Sequence, residues 1–399
     1  MTDVAERLAE LRRSGLHRRM RLIEGPQGPR VLIDGSEVLL LCSNNYLGLA
    51  DHPRVRQAAA EAAERFGAGA GASRLISGSM SLHRELEGRL AAFEGSEAAL
   101  LFGSGYLANT GVVAALAGRD EVVFSDELNH ASIIDGCRLS RAETFVYRHR
   151  DTDHLEWGLR RAGGRARLIV TDGVFSMDGD VAPLGELVAL ARLHQCMLVV
   201  DEAHGTGALG PGGRGAVAAA GLSGEVDVIV GTLGKALGGY GAYVCASRQI
   251  VELLVNTARP FIFSTAPPPP SVGAALAALS VLIARPGLVE QLRRNAATLR
   301  EALATQGLAT NGSRTQIVPV MVGDARRAVT LCERSLEGRV FAQAIRPPTV
   351  PKGSSRLRLT VMANHRAEEL GYAATAIATA AGELGLSATE SERTLRPAA

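Results

Sequence analysis

Between Ala98 and Ser247 short apolar, β-branched runs return at regular intervals, with helical patterns filling the gaps: AALLF, EVVFSD, ETFVY, RLIVTD, CMLVVDEA, VDVIVGT and GAYVCAS. Two parallel strands need a crossover of a dozen or more residues between them, and this spacing supplies it repeatedly. The alternation therefore restricts the chain to βαβ units around a largely parallel sheet. Several runs end in a polar residue at the carboxyl end, namely Asp126, Asp172, Asp201 and Thr232. That edge is where open α/β sheets bind ligands.

The flanks read differently. Residues 1–47 form a charged amphipathic helix followed by a hairpin turning at Ile33, Asp34 and Gly35, an arm rather than a core. Residues 48–284 hold the strand-rich large domain, and residues 285–399 a smaller α/β domain. Around that boundary the expected elements are helices over 271–284 and 287–306, then a strand at RLRLTVM and a last helix near 366–383. The final fifteen residues carry little apolar content and are expected to fray.

With 399 residues the chain can bury a large core, and 43 basic against 41 acidic residues demand neither nucleic acid nor an anionic membrane. No apolar stretch reaches the roughly 20 residues of a membrane span. The five cysteines contain no CxxC pair and, being odd in number, cannot all pair, so they read as thiols in a reducing compartment and not as a metal site. The first twenty residues lack the apolar run of a signal peptide, and the expected location is the cytoplasm.

Four stretches carry chemistry. In TLGKALGG, Lys235 stands among Gly231, Gly234, Gly238 and Gly239, as a lysine bonded to a planar cofactor would need; a surface lysine in a turn, or a nucleotide loop, fits the same eight residues. The nucleotide loop is disfavoured because Ala236 follows the lysine where a magnesium-binding Ser or Thr belongs. In CMLVVDEAHG an apolar strand delivers Asp201, a buried carboxylate suited to the cation of a protonated pyridine nitrogen, or else a helix cap; His204 follows, either as a donor to a phenolic oxygen or as a structural histidine in a loop. In LLFGSGYLAN a strand runs into Ser104, Gly105 and Tyr106 at a helix start, a cradle for phosphate that is common in α/β proteins. In SDELNHAS, His130 follows a strand, either as a structural residue or as a ring that stacks on a flat cofactor.

In this order the four stretches resemble the α-oxoamine synthases among the fold type I pyridoxal phosphate enzymes, with the match running from SNNYLGL to RLRLT. The resemblance implies an aspartate aminotransferase-like α/β fold, a large domain with a mostly parallel central sheet and a smaller α/β C-terminal domain. It implies pyridoxal 5'-phosphate on Lys235, with Asp201 at the ring nitrogen, His204 and Ser176 on the phenolic side and His130 over the ring. Ser104, Gly105, Tyr106 and Thr232 would hold the phosphate, joined by Ser264 and Thr265 from the partner in a homodimer.

Within the family, AIRPPTVPKGSSRLRLT resembles the branch that condenses L-alanine with a pimeloyl thioester, carried by coenzyme A or acyl carrier protein, on the way to biotin; GKALGGYGAY is reminiscent of sister branches using glycine. The alanine carboxylate then falls to Asn44 and Arg358, whose guanidinium fork matches a carboxylate, and Lys235 acts as base on the α-proton. The remote end of the acyl chain falls to Arg346, backed by Pro347 and Pro348 and followed by Thr349, or to Arg18 of the arm.

Overall fold

The computed structural model describes residues 3–386, so the expected fraying of the last fifteen residues lies outside the described part, save for its first few. The chain divides into two units where the sequence suggested three. One comprises residues 49–176 and 181–289; the other comprises residues up to Gly48, the short segment Met177–Asp180, and everything from Glu290 on.

The first of these units is built on seven strands in the order Ala98–Phe102, Ala242–Ala246, Val228–Thr232, Met197–Asp201, Ala166–Asp172, Val122–Asp126, Glu143–Tyr147. Each corresponds to one of the seven apolar runs. The pairings from Val228–Thr232 through Glu143–Tyr147 are parallel, and Ala242–Ala246 runs antiparallel to both its neighbours. Central strands such as Val122–Asp126 and Ala242–Ala246 are buried at every position, which explains their unbroken apolar character: both faces of the sheet are covered. On one face Val170, Val199, Val230 and Val244 pack against Ala108, Val112, Val113 and Leu116 of the helix Gly105–Leu116.

One close approach inside this sheet sets a residue identity. A Cβ at Gly231 would lie 2.1 Å from the ring of its register partner Tyr243, so only glycine admits the tyrosine there. The fully buried Tyr243 hydroxyl donates to Glu94 Oε1 at 2.6 Å and lies 3.0 Å from Thr206 Oγ1. Burial pushes the Glu94 carboxyl from the usual 4.5 up to about 8.

In the other unit the hairpin Arg30–Ile33 and Ser36–Leu40 turns at Asp34 and Gly35, both with positive φ, as the sequence suggested. The arm is not separate, because Ser36–Leu40 pairs in parallel with Val340–Phe341, and the Thr360 N–H donates to Leu41 O at 2.7 Å. A second, antiparallel sheet sets Ser355–Thr360 between Ile317–Gly323 and Gln343–Ile345. Residues 177–180 belong here because Asp178 ion-pairs with Arg356 and Thr315 Oγ1 donates to Gly179 O at 2.8 Å. Among the described residues no single helix is long and apolar enough to cross a membrane.

The raised Glu94 carboxyl has a signed consequence. Between the unfolded value of 4.5 and the folded value of about 8, the native chain keeps a proton that the unfolded chain has released. Stability therefore declines as pH rises through that window. The substitution Glu94→Gln, neutral throughout, is expected to flatten the fall in thermal midpoint between about pH 5 and about pH 8; an unaltered pH profile would refute the buried acid.

Candidate active site

The carboxyl ends of the parallel strands bring together residues far apart in the chain. Asp172 and Asp201 are register partners at the ends of neighbouring strands, and both are buried. Asp201 Oδ1 accepts from the Ala203 N–H at 2.7 Å, and Oδ2 accepts from Asn109 Nδ2 at 2.6 Å. Asn109 Nδ2 also reaches Ser132 Oγ at 2.9 Å, while Asn109 Oδ1 is buried without a partner. No basic side chain ion-pairs with Asp201 among the described residues. A carboxylate 3 % exposed with two hydrogen bonds and no cation is poised to receive one.

Asp172 answers to a different need. Its Oδ2 accepts from the His130 N–H at 2.7 Å, and its own N–H donates to Asn129 Oδ1 at 2.9 Å. Burial, and then the neighbouring Asp201 charge, raise its pKa well above the usual carboxylate value, which disfavours its ionised form.

His130 caps the helix Ala131–Ser140, its Nδ1 taking the Ser132 N–H at 3.2 Å and lying 2.7 Å from Ser132 Oγ. The residue remains exposed, yet packing strips enough water from its ring to lower its pKa. The Asp201 charge opposes that shift and the Lys235 charge adds to it, so the three groups share one electrostatic field. Lys235 sits in the turn between Val228–Thr232 and Ala242–Ala246, and its Nζ lies 2.9 Å from His204 Nε2. The turn following His204 is held by Glu202, whose carboxylate accepts from the Ala216 and Val217 N–H groups at 2.9 and 2.7 Å; burial raises it to about 7.

The glycines around Lys235 are explained by the protein's own packing. Gly231 makes way for Tyr243, and Gly238, at φ 61°, brings its Cα so close to Ala50 that a Cβ would lie 2.4 Å from the Ala50 nitrogen. Gly234 and Gly239 meet nothing closer than 3.4 Å. Space cleared for a cofactor, the sequence-based reason, accounts for neither of the tight positions.

The phosphate cradle is partly as expected. Ser104 is the N-cap of the helix Gly105–Leu116, its Oγ accepting from the Leu107 N–H at 3.2 Å, and the space beside Gly105 is open. Tyr106 contributes its backbone N–H to that helix start, whereas its hydroxyl turns away to Asp135. Thr232 Oγ1 is engaged inside the lysine turn, donating to Gly241 O at 3.1 Å and accepting from the Gly234 N–H at 3.3 Å. Ser176 lies in the half-exposed turn after Ala166–Asp172. Ser264 and Thr265 follow a short helix, and Thr265 is exposed and bridged to Ser73.

In the other unit Arg358 and Asn44 meet as expected. Both terminal nitrogens of the buried guanidinium reach Asn44 Oδ1 at 3.3 Å, and Tyr46 Oη donates to the same oxygen at 3.1 Å. Arg346 is used otherwise: its fork donates to the carbonyls of Gly15 and His17 and so fastens the arm. Arg18 is exposed on that arm, and Thr349 is exposed, its N–H closing a turn onto Arg346 O at 3.2 Å. Asn109 was missed; its only sequence signal is a lone amide among the apolar residues of GYLANTGVVAAL.

The profile of the family described as aminotransferase class I and II matches residues 36–377. A relative from Geobacter sulfurreducens, described as 8-amino-7-oxononanoate synthase, is 55% identical over 387 residues, covering 96% of this chain and 99% of that protein. A solved structure described as SPT with a PLP internal aldimine superposes with a TM-score of 0.91 at 34% identity, covering 96% of this chain and 98% of that one. The 8-amino-7-oxononanoate synthase of Francisella tularensis superposes with a TM-score of 0.76 at 28% identity, covering 87% and 99% respectively.

The Asn109 contact makes a pair of variants informative. Asn109→Ala leaves one oxygen of the buried Asp201 without its donor and is expected to cost about 1–3 kcal/mol of stability. Asn109→Asp sets a second carboxylate against Asp201 and is expected to cost more, with the extra loss relieved in acid as the two come to share a proton. Thermal unfolding against pH checks both, and equal losses at every pH would remove Asn109 from this role.

Proposed function

Because the chain belongs to the class I and II aminotransferase family, we propose that it is a pyridoxal-phosphate-dependent acyltransferase joining L-alanine to a pimeloyl thioester. The products are 8-amino-7-oxononanoate, carbon dioxide and the released thiol, a step in biotin synthesis. The observation that carries this reading is the buried Asp201 carboxylate, which makes no ion pair among the described residues, in the shared field of His130 and Lys235. The residues fit the cofactor: Asp201 suits its ring nitrogen, Lys235 its aldehyde, His204 and Ser176 its phenolic side, and the helix start at Ser104–Gly105 its phosphate. When bound, pyridoxal phosphate supplies an electron sink for negative charge at the amino acid's α-carbon.

The protein's own part is positioning and proton movement. Lys235 Nζ takes the α-proton of alanine, and the nearby His204 Nε2 keeps the amine within the site between its two duties. Asp172, whose burial beside Asp201 disfavours its ionised form, holds the His130 backbone in place, and the Asp201 carboxylate next to it favours a cation at the ring position over a neutral nitrogen. His130 donates towards oxygen charge that develops on the thioester carbonyl. Arg358, its fork oriented by Asn44 and Tyr46, is assigned the alanine carboxylate. Arg18 is assigned the far end of the acyl chain, since the Arg346 fork is taken up by the arm.

The working form is a homodimer in the cytoplasm. Two large apolar residues beside the Ser73–Thr265 bridge, Ile76 at 80 % and Phe263 at 70 % exposure, call for a covering surface, and a second copy would deliver Ser264 and Thr265 to its partner. The five unpaired cysteines suit a reducing compartment.

Thiol release from pimeloyl-CoA, assayed with alanine, glycine and serine, tests the reading. Alanine is expected to lead glycine by about 10–200-fold in kcat/KM, the worth of one methyl group in a pocket. Lys235→Ala is expected to lower kcat by on the order of 10²–10⁴, and Arg358→Ala to raise KM for alanine by about 10–100-fold. A preference for glycine or serine would transfer the chain to a sister reaction, and full turnover in Lys235→Ala would end the assignment.

A further inference from the structure

His204 and Lys235 meet at 2.9 Å although they stand on different loops, one after Met197–Asp201 and the other between Val228–Thr232 and Ala242–Ala246. Chain connectivity does not fix such a distance; contacts that cross from one loop to the other must. Upstream of His204 the crossing contact belongs to the sheet, where the Glu202 N–H donates to Val230 O at 2.7 Å. Downstream it is made by side chains. Thr206 Oγ1 lies 3.0 Å from the hydroxyl of Tyr243, which stands on the strand that leaves the lysine turn.

The direction of these bonds follows from the hydrogens each group owns. Tyr243 has one hydroxyl hydrogen and gives it to Glu94 Oε1 at 2.6 Å, so the hydrogen between Thr206 and Tyr243 comes from the threonine. Three buried side chains thereby form a line from the helix Ser81–Glu94, through the lysine strand, to the histidine loop. The line has little slack. The phenol ring is wedged against Gly231, where a Cβ would lie 2.1 Å from it, and the Thr206 N–H donates to Glu202 O at 2.8 Å. Gly205, between His204 and Thr206, packs so closely that a Cβ there would lie 1.7 Å from the Glu202 carboxylate. Replacing every member of a buried polar line by apolar groups of the same shape is nearly neutral for stability, so what these hydroxyls add is a fixed geometry.

We propose that Tyr243 is a positioning residue for the reaction: through Thr206 its hydroxyl holds the histidine loop so that His204 Nε2 stays at hydrogen-bond distance from Lys235 Nζ. The inference rests on the cofactor reading above, in which His204 serves the phenolic side, and adds Tyr243 and Thr206 as residues that act through His204. Without the Tyr243 hydroxyl the loop loses its downstream anchor and His204 withdraws as a donor. An oxygen that has lost a donor holds a proton more tightly.

The visible absorbance of the cofactor-loaded full-length enzyme, titrated against pH, reads the phenolic side without turnover. Tyr243→Phe and Thr206→Val each remove one hydroxyl and nearly keep the side-chain volume, and both are expected to raise the absorbance midpoint by about half a pH unit or more. The double variant is expected to shift no further than either single one, because both cut the same line. Glu94→Gln keeps an oxygen to accept the phenol hydrogen and is expected to retain the midpoint, whereas Glu94→Leu is expected to move it. In steady state both hydroxyl variants are expected to lose about tenfold in kcat, with KM for alanine, which reads Arg358, unchanged. Lowered thermal stability with an unmoved absorbance midpoint, or additive shifts in the double variant, would overturn the positioning role. Shifted midpoints in an enzyme that releases no thiol from any thioester would leave that role standing and overturn the reaction instead.

Discussion

An anion buried at the end of a parallel strand is the constraint to which the rest of the candidate site answers. Asp201 is delivered there by an apolar strand that is itself covered on both faces, so water cannot reach the carboxylate and the protein must satisfy it. It does so with one amide from the helix packed on the sheet and one backbone N–H from the following turn, and with no ion pair among the described residues. Burial and the Asp201 charge both push the pKa of the adjoining acid, Asp172, upwards, and its carboxyl fixes the His130 backbone. A pair of identical side chains in register thereby takes two roles.

Immediately downstream the same economy continues. Glu202, next in the chain, turns into the protein and closes a loop onto two backbone N–H groups, while His204 turns towards Lys235. Alternation of direction along DEAHG therefore separates an acid that holds a turn from the two candidate site residues around it. Across the sheet, Gly231 gives up its side chain so that Tyr243 can reach Glu94, which stiffens the strand pair whose turn carries the lysine. The glycines of that turn serve the lysine indirectly, by letting the backbone that bears it pack closely.

The seven strands and the polar residues at their ends were legible because burial on both faces writes an unbroken apolar run, and because each run stops where the strand does. Lys235, His130, Asp201 and His204 were legible for the same reason: all lie within a few residues of a strand end. Asn109 was not, since an amide inside an apolar helix gives no sign of whether it faces a neighbour or solvent. The arm's membership in the C-terminal unit was hidden too, because it rests on a two-residue strand, Val340–Phe341, far too short for periodicity to register. For Arg346 the sequence showed a rigid double proline behind a guanidinium, but not that the fork would close on two arm carbonyls.

That last difference changes how the arginines of the arm-bearing unit divide their work. Arg356 is buried and spent on Asp178, and Arg346 is spent on the arm. Arg358, also buried, turns its fork to the Asn44 amide oxygen and the Tyr46 phenol, contacts that orient it. The two arginines of SSRLRLT stand two apart on one strand and so share a face, and it is the partner each meets at its own point along that face that separates their roles.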